Sequence, residues 1–373
     1  MLDIREITAL ELGLAIRELN AKLAGSYLKK FYDLGNGSFR MSFHNSDGNR
    51  IIFCSLLHTL NETGFLEESG AATNFAIAMR KRVEDSKVIG IRQHGSDRIA
   101  VVDVQSGGKS HRMVIEMFGK GNLLLLDEED VIELCYKQIS YKDRDIRPRA
   151  KYRFPESGAL SVADFTDNKI MEIVSEEARS PDKAIVALSR HMNFGPIYLE
   201  DIIRSAGCDP KERIGEDSID ALSSAVRRFL SRLNTLSPAA YLKDGEIVDY
   251  SVVPLSKYGG FERMEFGSVN EMLDRVNVSA RSAVKEDEGI KSALAELEAA
   301  MKKQQELVME FENGSKKYAS DAKRIFERMD EINALILRIR ELKKPELEEL
   351  RREFPSLNVS VIDLQHKTVQ IEA

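Results

Sequence analysis

Phe75-Ala-Ile-Ala-Met-Arg80-Lys81-Arg82, Gln93-His-Gly-Ser-Asp97-Arg98-Ile, Ile115-Glu116-Met-Phe-Gly-Lys120-Gly-Asn122-Leu and Arg147-Pro-Arg149-Ala-Lys151-Tyr152-Arg153-Phe-Pro155 follow one another between Asn74 and Arg153. This stretch decides the fold. Its first part has helical composition from about Ala72 to Val83. β-branched and alternating runs then predict strands over Lys87–Gln93, Arg98–Gln105, Ser110–Met117, Asn122–Leu126 and Val131–Lys137. Gly107-Gly108, Gly119–Gly121 and Asp127–Asp130 separate them with turn chemistry.

The same plan stands upstream. Thr8-Ala-Leu-Glu11 is a capping-box pattern, Leu12, Ile16, Leu19 and Leu23 recur at helical spacing, and Gly25 suits the stop. Strands are predicted over Ser26–Asp33, Phe39–Phe43 and Ile51–Ser55, joined by Gly35-Asn-Gly and Asn45-Ser-Asp-Gly48. The fold class is therefore α+β, with two helix-plus-antiparallel-meander halves forming one β-sandwich. Phe39-Arg-Met-Ser-Phe parallels Arg98-Ile-Ala-Val-Val, which suggests a duplication.

Downstream, Ser180-Pro181 predicts a helix start, with the helix running to about His191. Asn193-Phe-Gly195-Pro196 breaks the chain before a helix over Ile197–Ser205, and a third covers Ser218–Leu233. Two short helices about a glycine turn fit a helix-hairpin-helix that holds a phosphate on exposed amides. They fit a plain αα-hairpin packed on its neighbour equally well. Short β pieces, Ala240-Tyr-Leu, Glu246–Ser251 and Arg263–Phe266, precede a capped helix at Ser268–Asp274.

In the last third, Ile290, Leu294, Leu297, Met301, Gln304, Val308 and Phe311 are spaced 4-3-4-3-4-3, and the register continues through Ser315, Tyr318, Ala322, Ile325, Met329, Ile332, Ile336 and Ile339. Such a repeat specifies a left-handed coiled-coil arm, about 75 Å long at ~1.5 Å per residue. Asn313-Gly314-Ser315 predicts a kink. No other segment offers matching heptads, so the partner is expected from a C-terminal part beyond this fragment or from a second chain. Val359–Ile371 reads as a hairpin around Gln365-His-Lys. The expected domains are 1–172 (α+β), 173–236 (helix-hairpin-helix-like), 237–280 (small β return), 281–344 (arm) and 345–373 (start of a small middle domain).

Composition narrows the function classes. Charged residues make up 31% of the 373, the net charge is −7, and no apolar run approaches the ~18 residues of a membrane span. Any RNA contact must be local rather than spread over a basic body. Met1-Leu-Asp-Ile-Arg-Glu has no signal-peptide pattern, so a cytoplasmic protein without membrane contact is expected. Cys54, Cys135 and Cys208 are scattered and read as reduced thiols. The six histidines show no ligand spacing, so neither a metal nor a cofactor is expected.

The four quoted segments resemble the NFACT-N domain, once labelled "fibronectin-binding protein A" and found in ribosome quality-control factors of the NEMF and RqcH type. Pro254, Tyr258 and Ser268–Asp274 match the ending of the same module. The resemblance implies a glycosylase-like sandwich, a helical domain and a coiled-coil arm. It also implies a non-enzymatic factor that binds the large ribosomal subunit carrying stalled peptidyl-tRNA and positions tRNA, in some members supporting C-terminal tailing of the stalled peptide.

Asp97-Arg98 fits the family's Asp-Arg pair after Gln-x-Gly-x, which the resemblance assigns to tRNA. In chemical terms, Arg offers a planar fork for phosphate and Asp can orient it; an ion pair opening a strand is the other reading. Arg80 and Lys81 fit Phe-x-x-x-x-Arg-Lys and also complement a helix C-terminus. Glu116 and Asn122 fit Glu-x-x-x-x-Gly-Asn, with Lys120 in the turn between them. From Lys137 to Arg153 the chain has seven basic and two acidic residues with Tyr141 and Tyr152 interleaved. Arg144, Arg147, Arg149 and Lys151 thus form a candidate phosphate track, or a solvated loop.

Two other readings stand beside this one. A DNA- or RNA-processing enzyme related to the formamidopyrimidine glycosylases would use an N-terminal Pro followed by Glu, where this chain has Leu2-Asp3. A fibronectin-binding adhesin would need an export route that the N-terminus does not show.

Overall fold

The computed structural model describes residues 5–66, 70–142, 144–342, 344–363, 365–366 and 368–371, and for 283–293 the backbone alone. Leu2 and Asp3, the side chain of Ile290, and Lys367 lie outside the described residues. The chain divides into two compact units, Met1–Asp287 and Glu288–Ala373.

In the first unit each predicted half is present. α1 (Ala9–Leu23) leads into β1 (Tyr27–Gly35), β2 (Ser38–Asn45), β3 (Gly48–Ser55) and β4 (Thr59–Glu62). α2 (Asn74–Val83) leads into β5 (Ser86–Gln93), β6 (Ile99–Ser106), β7 (Lys109–Glu116), β8 (Asn122–Leu126) and β9 (Ile132–Cys135). The capping box holds, with the Thr8 hydroxyl accepting from Glu11 N–H and Glu11 accepting from Thr8 N–H. All nine strands belong to one antiparallel sheet ordered β4-β3-β2-β1-β5-β6-β7-β8-β9. The halves are joined across β1 and β5 by only two residue pairs, Tyr27↔Lys87 and Leu28↔Ser86.

The helices are exchanged between halves. α1 packs on β5 of the second half and β4 of its own, and α2 packs on β1 of the first half and β9 of its own. Each half thus lends its helix to the first strand of the other. Alternation along the strands then makes two cores. Phe31, Phe39, Val102, Met113 and Leu123 face α1 and α2, whereas Ile99, Val101, Val114 and Leu124 point to the other side. That outer face is covered by the segment after β9, which contributes Ile146 and Tyr152 and pairs with itself as β10 (Ile139–Ser140) and β11 (Asp145–Ile146). Cys54 is fully buried, and burial pushes its thiol up to about 12; all three cysteines are free.

The helical region contains α3 (Asp167–Glu177), α4 (Ala184–Ser189), α5 (Pro196–Ser205) and α6 (Ile219–Arg232). The helix expected from Ser180 starts only at Ala184, because Ser180 and Asp182 close a turn of their own. The two hairpin readings differ at the Asn193–Gly195 turn. Phe194 is buried, Asn193 Nδ2 donates to Ser96 O at 2.8 Å, and Gly195 lies against Thr8. The turn is therefore packed against the cap of α1 and the 94–98 loop.

Gly195 has φ 96° and ψ 153°, and a Cβ there would stand 2.4 Å from Thr8 Cγ2. That backbone region is open to glycine and costs other residues about 1–3 kcal/mol. Gly195→Ala is accordingly expected to lower the thermal midpoint by several degrees, a shift that calorimetry or circular dichroism will read.

A three-stranded sheet, β13-β12-β14, follows: β12 (Ala239–Lys243), β13 (Glu246–Ser251) and β14 (Glu262–Glu265). The hydrophobic core that begins at Ile7 runs through the sandwich, the helices and this sheet to Val276. Polar groups tie the same parts together. Fully buried Glu11 accepts from Arg5 Nη2 at 2.6 Å and from Tyr198 Oη at 2.6 Å, while Arg5 Nε donates to Asp249 at 2.9 Å. Burial, reinforced by the Glu11 charge, pushes the Tyr198 hydroxyl up, so it stays a hydrogen-bond donor.

Ser268 caps α7 (Val269–Glu327), whose first turn is held by Glu18 through the N–H groups of Val269 and Asn270. α7 passes through Asn313-Gly314-Ser315 without a break. A single glycine costs about 1 kcal/mol in a helix interior, and a 59-residue helix absorbs it. The predicted kink is thus displaced to Arg328, which leaves the helical region, caps α8 (Met329–Glu341) and binds Glu331 and Ser356 O.

In the second unit the heptad positions from Leu294 to Ile325 form an exposed apolar stripe, with Phe311 and Tyr318 each 75% exposed. The stripe ends at α8. There Ile332 and Ile339 turn instead to a small core of Leu335, Leu350, Leu357 and Val359. That core is shared with α9 (Leu347–Glu353) and the hairpin β15 (Val359–Asp363) and β16 (Thr368–Ile371). No helix among the described residues is long and apolar enough to cross a membrane.

Candidate nucleic-acid interface

The loop from β5 to β6 is braced from three sides. Gln93 Nε2 donates to Ala9 O and to Asp97 O, both at 2.8 Å, tying the loop to α1 and to itself. Ser96 Oγ donates to Leu160 O at 2.7 Å, and Asn193 holds the Ser96 carbonyl. His94 lies flat on Phe154, ring centroids 3.7 Å apart and planes 9° from parallel. Burial lowers the His94 pKa, Asp97 opposes that and Arg92 reinforces it, so the ring stays neutral at pH 7.

Asp97 and Arg98 do not pair with each other. Arg98 Nη1 binds the Glu6 carboxylate and, at 3.4 Å, Ile7 O, while one Asp97 carboxylate oxygen is buried with no hydrogen-bond partner. The Arg98 side chain remains 25% exposed. It sits where a strand end meets the β7–β8 turn, because Met117 N–H donates to its carbonyl at 2.7 Å. The guanidinium is thus anchored on a rigid loop by a partner that another anion can replace.

Glu116 and Asn122 of the motif, and Arg144 of the basic run, lie inside the fold. Glu116 is 1% exposed, accepting from Arg144 Nη1 at 2.5 Å and from Tyr152 Oη at 2.8 Å. Arg144 is shielded by the rings of Tyr141, Phe118 and Tyr152. Burial pulls its pKa down, the charge and hydrogen bond of Glu116 together with those of Tyr152 raise it further than burial lowers it, and the guanidinium stays charged. Fully buried Asn122 clamps the chain after β9, donating to Lys137 O at 2.8 Å and accepting from Lys137 N–H at 3.0 Å. These three side chains fasten the outer layer to the sheet and are withdrawn from solvent.

The other cations are distributed unevenly. Exposed Lys120 lies in the β7–β8 turn beside the Arg98 end of the sheet, and Arg153 returns to that end, its carbonyl facing Arg144. Arg147, Arg149 and Lys151 are exposed along the β9 edge, where Arg149 N–H donates to Ile132 O and Lys151 bridges Val131. They begin a β8 length away, about 14 Å at ~3.4 Å per residue. Arg80 and Lys81 belong to α2, on the opposite face of β6–β9 from the 139–154 layer. Arg80 Nε donates to Phe31 O at 2.7 Å and its guanidinium lies over Tyr32, whereas Lys81 is exposed. The structure therefore groups Arg98, Lys120 and Arg153 at one end, extends the track along an edge, and leaves Arg80 and Lys81 outside it.

Sequence reasoning missed Glu6, which occupies the Arg98 fork, and Arg17, an exposed cation on α1. Glu6 lies two residues before the α1 cap, a position whose carboxylate faces the next hairpin only once the sheet is folded. Among the described residues no group of three His, Cys, Asp or Glu is placed to hold a metal ion.

Curated relatives are similar in sequence at low identity. The archaeal Rqc2 homolog aRqcH of Methanocaldococcus jannaschii is 26% identical over 255 residues, covering 67% of this chain and 37% of that protein. The ribosome quality control complex subunit NEMF of Homo sapiens is 22% identical over 213 residues, 56% of this chain and 20% of that protein. The chain thus spans well under half the length of either. Among solved structures, the fibrinogen binding protein from Staphylococcus aureus superposes with a TM-score of 0.59 at 20% identity, over 72% of this chain and 97% of that one. A similar fold is seen in the N-terminal part of the fibronectin/fibrinogen-binding protein from Streptococcus suis, with a TM-score of 0.58 at 19% identity. The family profile for the NFACT N-terminal and middle domains matches residues 9–356, nearly the whole chain, and the protein belongs to the NFACT family.

Proposed function

We propose that this chain is the RNA-engaging part of a ribosome quality-control factor, one that binds the large subunit carrying a stalled peptidyl-tRNA and positions tRNA there. The observation that carries the reading is Arg98: a guanidinium on a braced loop, held by a solvent-accessible carboxylate and flanked by Lys120 and Arg153. Relatives named as ribosome quality-control subunits supply the setting. In this reading the chemistry belongs to the ribosome and the protein contributes placement, including support for tailing of the stalled peptide. The factor acts in the cytoplasm, where stalled large subunits are.

The exposed stripe of α7 is the surface for a coiled-coil partner. Its flanking positions are Glu298, Gln305 and Glu312 on one side and Ala300, Leu307 and Gly314 on the other. A second copy would meet these with no opposite charge, so a segment of different sequence is the better partner.

Sedimentation tests the reading. Full-length protein is expected to travel with large subunits from cells in which translation is stalled, and to protect tRNA from nuclease. Asp97→Ala/Arg98→Ala is expected to lose the tRNA protection. If the unaltered protein neither sediments with large subunits nor protects tRNA, the proposal fails.

A further inference from the structure

Beside the Arg98 loop lies a cleft, lined in part by Gln93, Gly95 and Ser96 of the same motif. α1 forms one wall with Leu10 and Leu14. Phe194 and Leu233 from the helical region form the other, and Gln93 and Asn193 lie between. Its volume is about 260 Å³, below the ~300–1,000 Å³ of pockets that hold drug-sized ligands. Two apolar walls with polar groups between them suit one flat ring.

Among its polar groups, which include Ser161 and Asn234, two amides keep an acceptor that meets no donor among the described residues. Both amide hydrogens of Gln93 are committed to carbonyls, and reversing that amide would set oxygen against oxygen, so Oε1 is left as an acceptor. Asn193 donates Nδ2 to Ser96 O, and its Oδ1 receives no hydrogen bond among the described residues. Gly13 makes this possible. A Cβ at that position would stand 2.2 Å from Gln93 Oε1, so any other residue would push Gln93 off the helix. An acceptor pair of this kind satisfies a ligand that donates N–H and opposes one that presents carbonyls. Exposed Arg17 lines the same cleft and has no ionic partner among the described residues, so a phosphate joined to the ring would meet a cation.

We infer that this cleft receives one unstacked RNA base bearing an exocyclic amino group, adenine, cytosine or guanine, with Arg17 taking its phosphate. The inference rests on the RNA-binding reading and gives it a base preference that phosphate contacts alone cannot supply. Uracil, with carbonyl oxygens where the amino group would be, is disfavoured.

The 373-residue chain, titrated with adenosine, cytidine and uridine 5′-monophosphates and followed by the side-chain amide resonances of Gln93 and Asn193, tests it. Adenosine and cytidine monophosphates are expected to shift both amides saturably, and uridine monophosphate to bind at least tenfold more weakly. Ala163 is an exposed residue of the cleft wall. Ala163→Phe should fill the space, abolish the shifts and leave the thermal midpoint unchanged, and Arg17→Ala should weaken binding. Equal binding of the three nucleotides, no saturable shift, or nucleotide binding that survives Ala163→Phe overturns the inference. The two proposals separate cleanly: tRNA binding indifferent to Ala163→Phe sinks the cleft alone. Nucleotide binding in the cleft by a protein that ignores tRNA and ribosomes sinks the quality-control reading alone.

Discussion

Glu116→Ala is expected to destabilise the first unit by about 3–5 kcal/mol, because removing one partner of a buried ion pair strands the other. The stranded group is Arg144, whose side chain is 8% exposed and enclosed by three aromatic rings. Tyr152 loses its acceptor as well. In the unaltered protein burial, with the Glu116 charge adding, raises the Tyr152 hydroxyl, and of these two causes the burial persists in the variant. At ~2–4 °C per kcal/mol for a unit of this size, the midpoint should fall by roughly 10 °C. Glu116→Met combined with Arg144→Leu should recover much of the loss, since apolar replacement of a whole buried pair is often nearly neutral. Thermal unfolding of the three proteins decides the matter. A Glu116→Ala protein of normal stability that fails only in tRNA binding would restore this residue to the RNA interface.

Arg98→Ala should weaken tRNA binding by about 10- to 100-fold, the equivalent of the ~1.5–3 kcal/mol of a charged hydrogen bond. Arg98→Lys should recover only part, since an ammonium lacks the planar fork. Glu6→Gln should act in the opposite direction. The Glu6 carboxylate is 46% exposed and its pairing with Arg98 is a surface ion pair, worth at most about 1 kcal/mol. Releasing it should tighten binding by no more than about fivefold, and not at all once Arg98 is alanine. Equilibrium binding of tRNA at two salt concentrations measures each change, and the salt slope should fall with Arg98→Ala and hold with Glu6→Gln. A Glu6→Gln protein that binds less well would show that this carboxylate orients the arginine rather than occupying its fork.

The local signals that were legible are those with a short-range cause. The Thr8–Glu11 box, the turn glycines and the alternating strands fix their own conformation, and both helix-plus-meander halves follow. β4 and α3 escaped detection. Thr59–Glu62 is four residues whose Thr59 and Asn61 are buried polar groups, so no apolar alternation marks it. The candidate site was read as a set of charges, and charge does not disclose burial. Glu116 and Arg144 satisfy each other across 28 residues, and only the folded outer layer encloses them. Lys120, Arg147, Arg149 and Lys151 have no such partner in the core and stay on the surface. The kink expected at Gly314 failed for a related reason: a small local cost lost to the continuity of the helix around it, while contacts with Glu331 and Ser356 broke the helix at Arg328.

The exchanged helices bear on how the chain emerges during synthesis. β1 must wait for α2, and α1 for β5, so the leading half is incomplete when it leaves the exit tunnel. Its apolar surface stays uncovered until the chain has been made to about Gln93, the end of β5. A nascent chain interrupted before that point would have neither half closed.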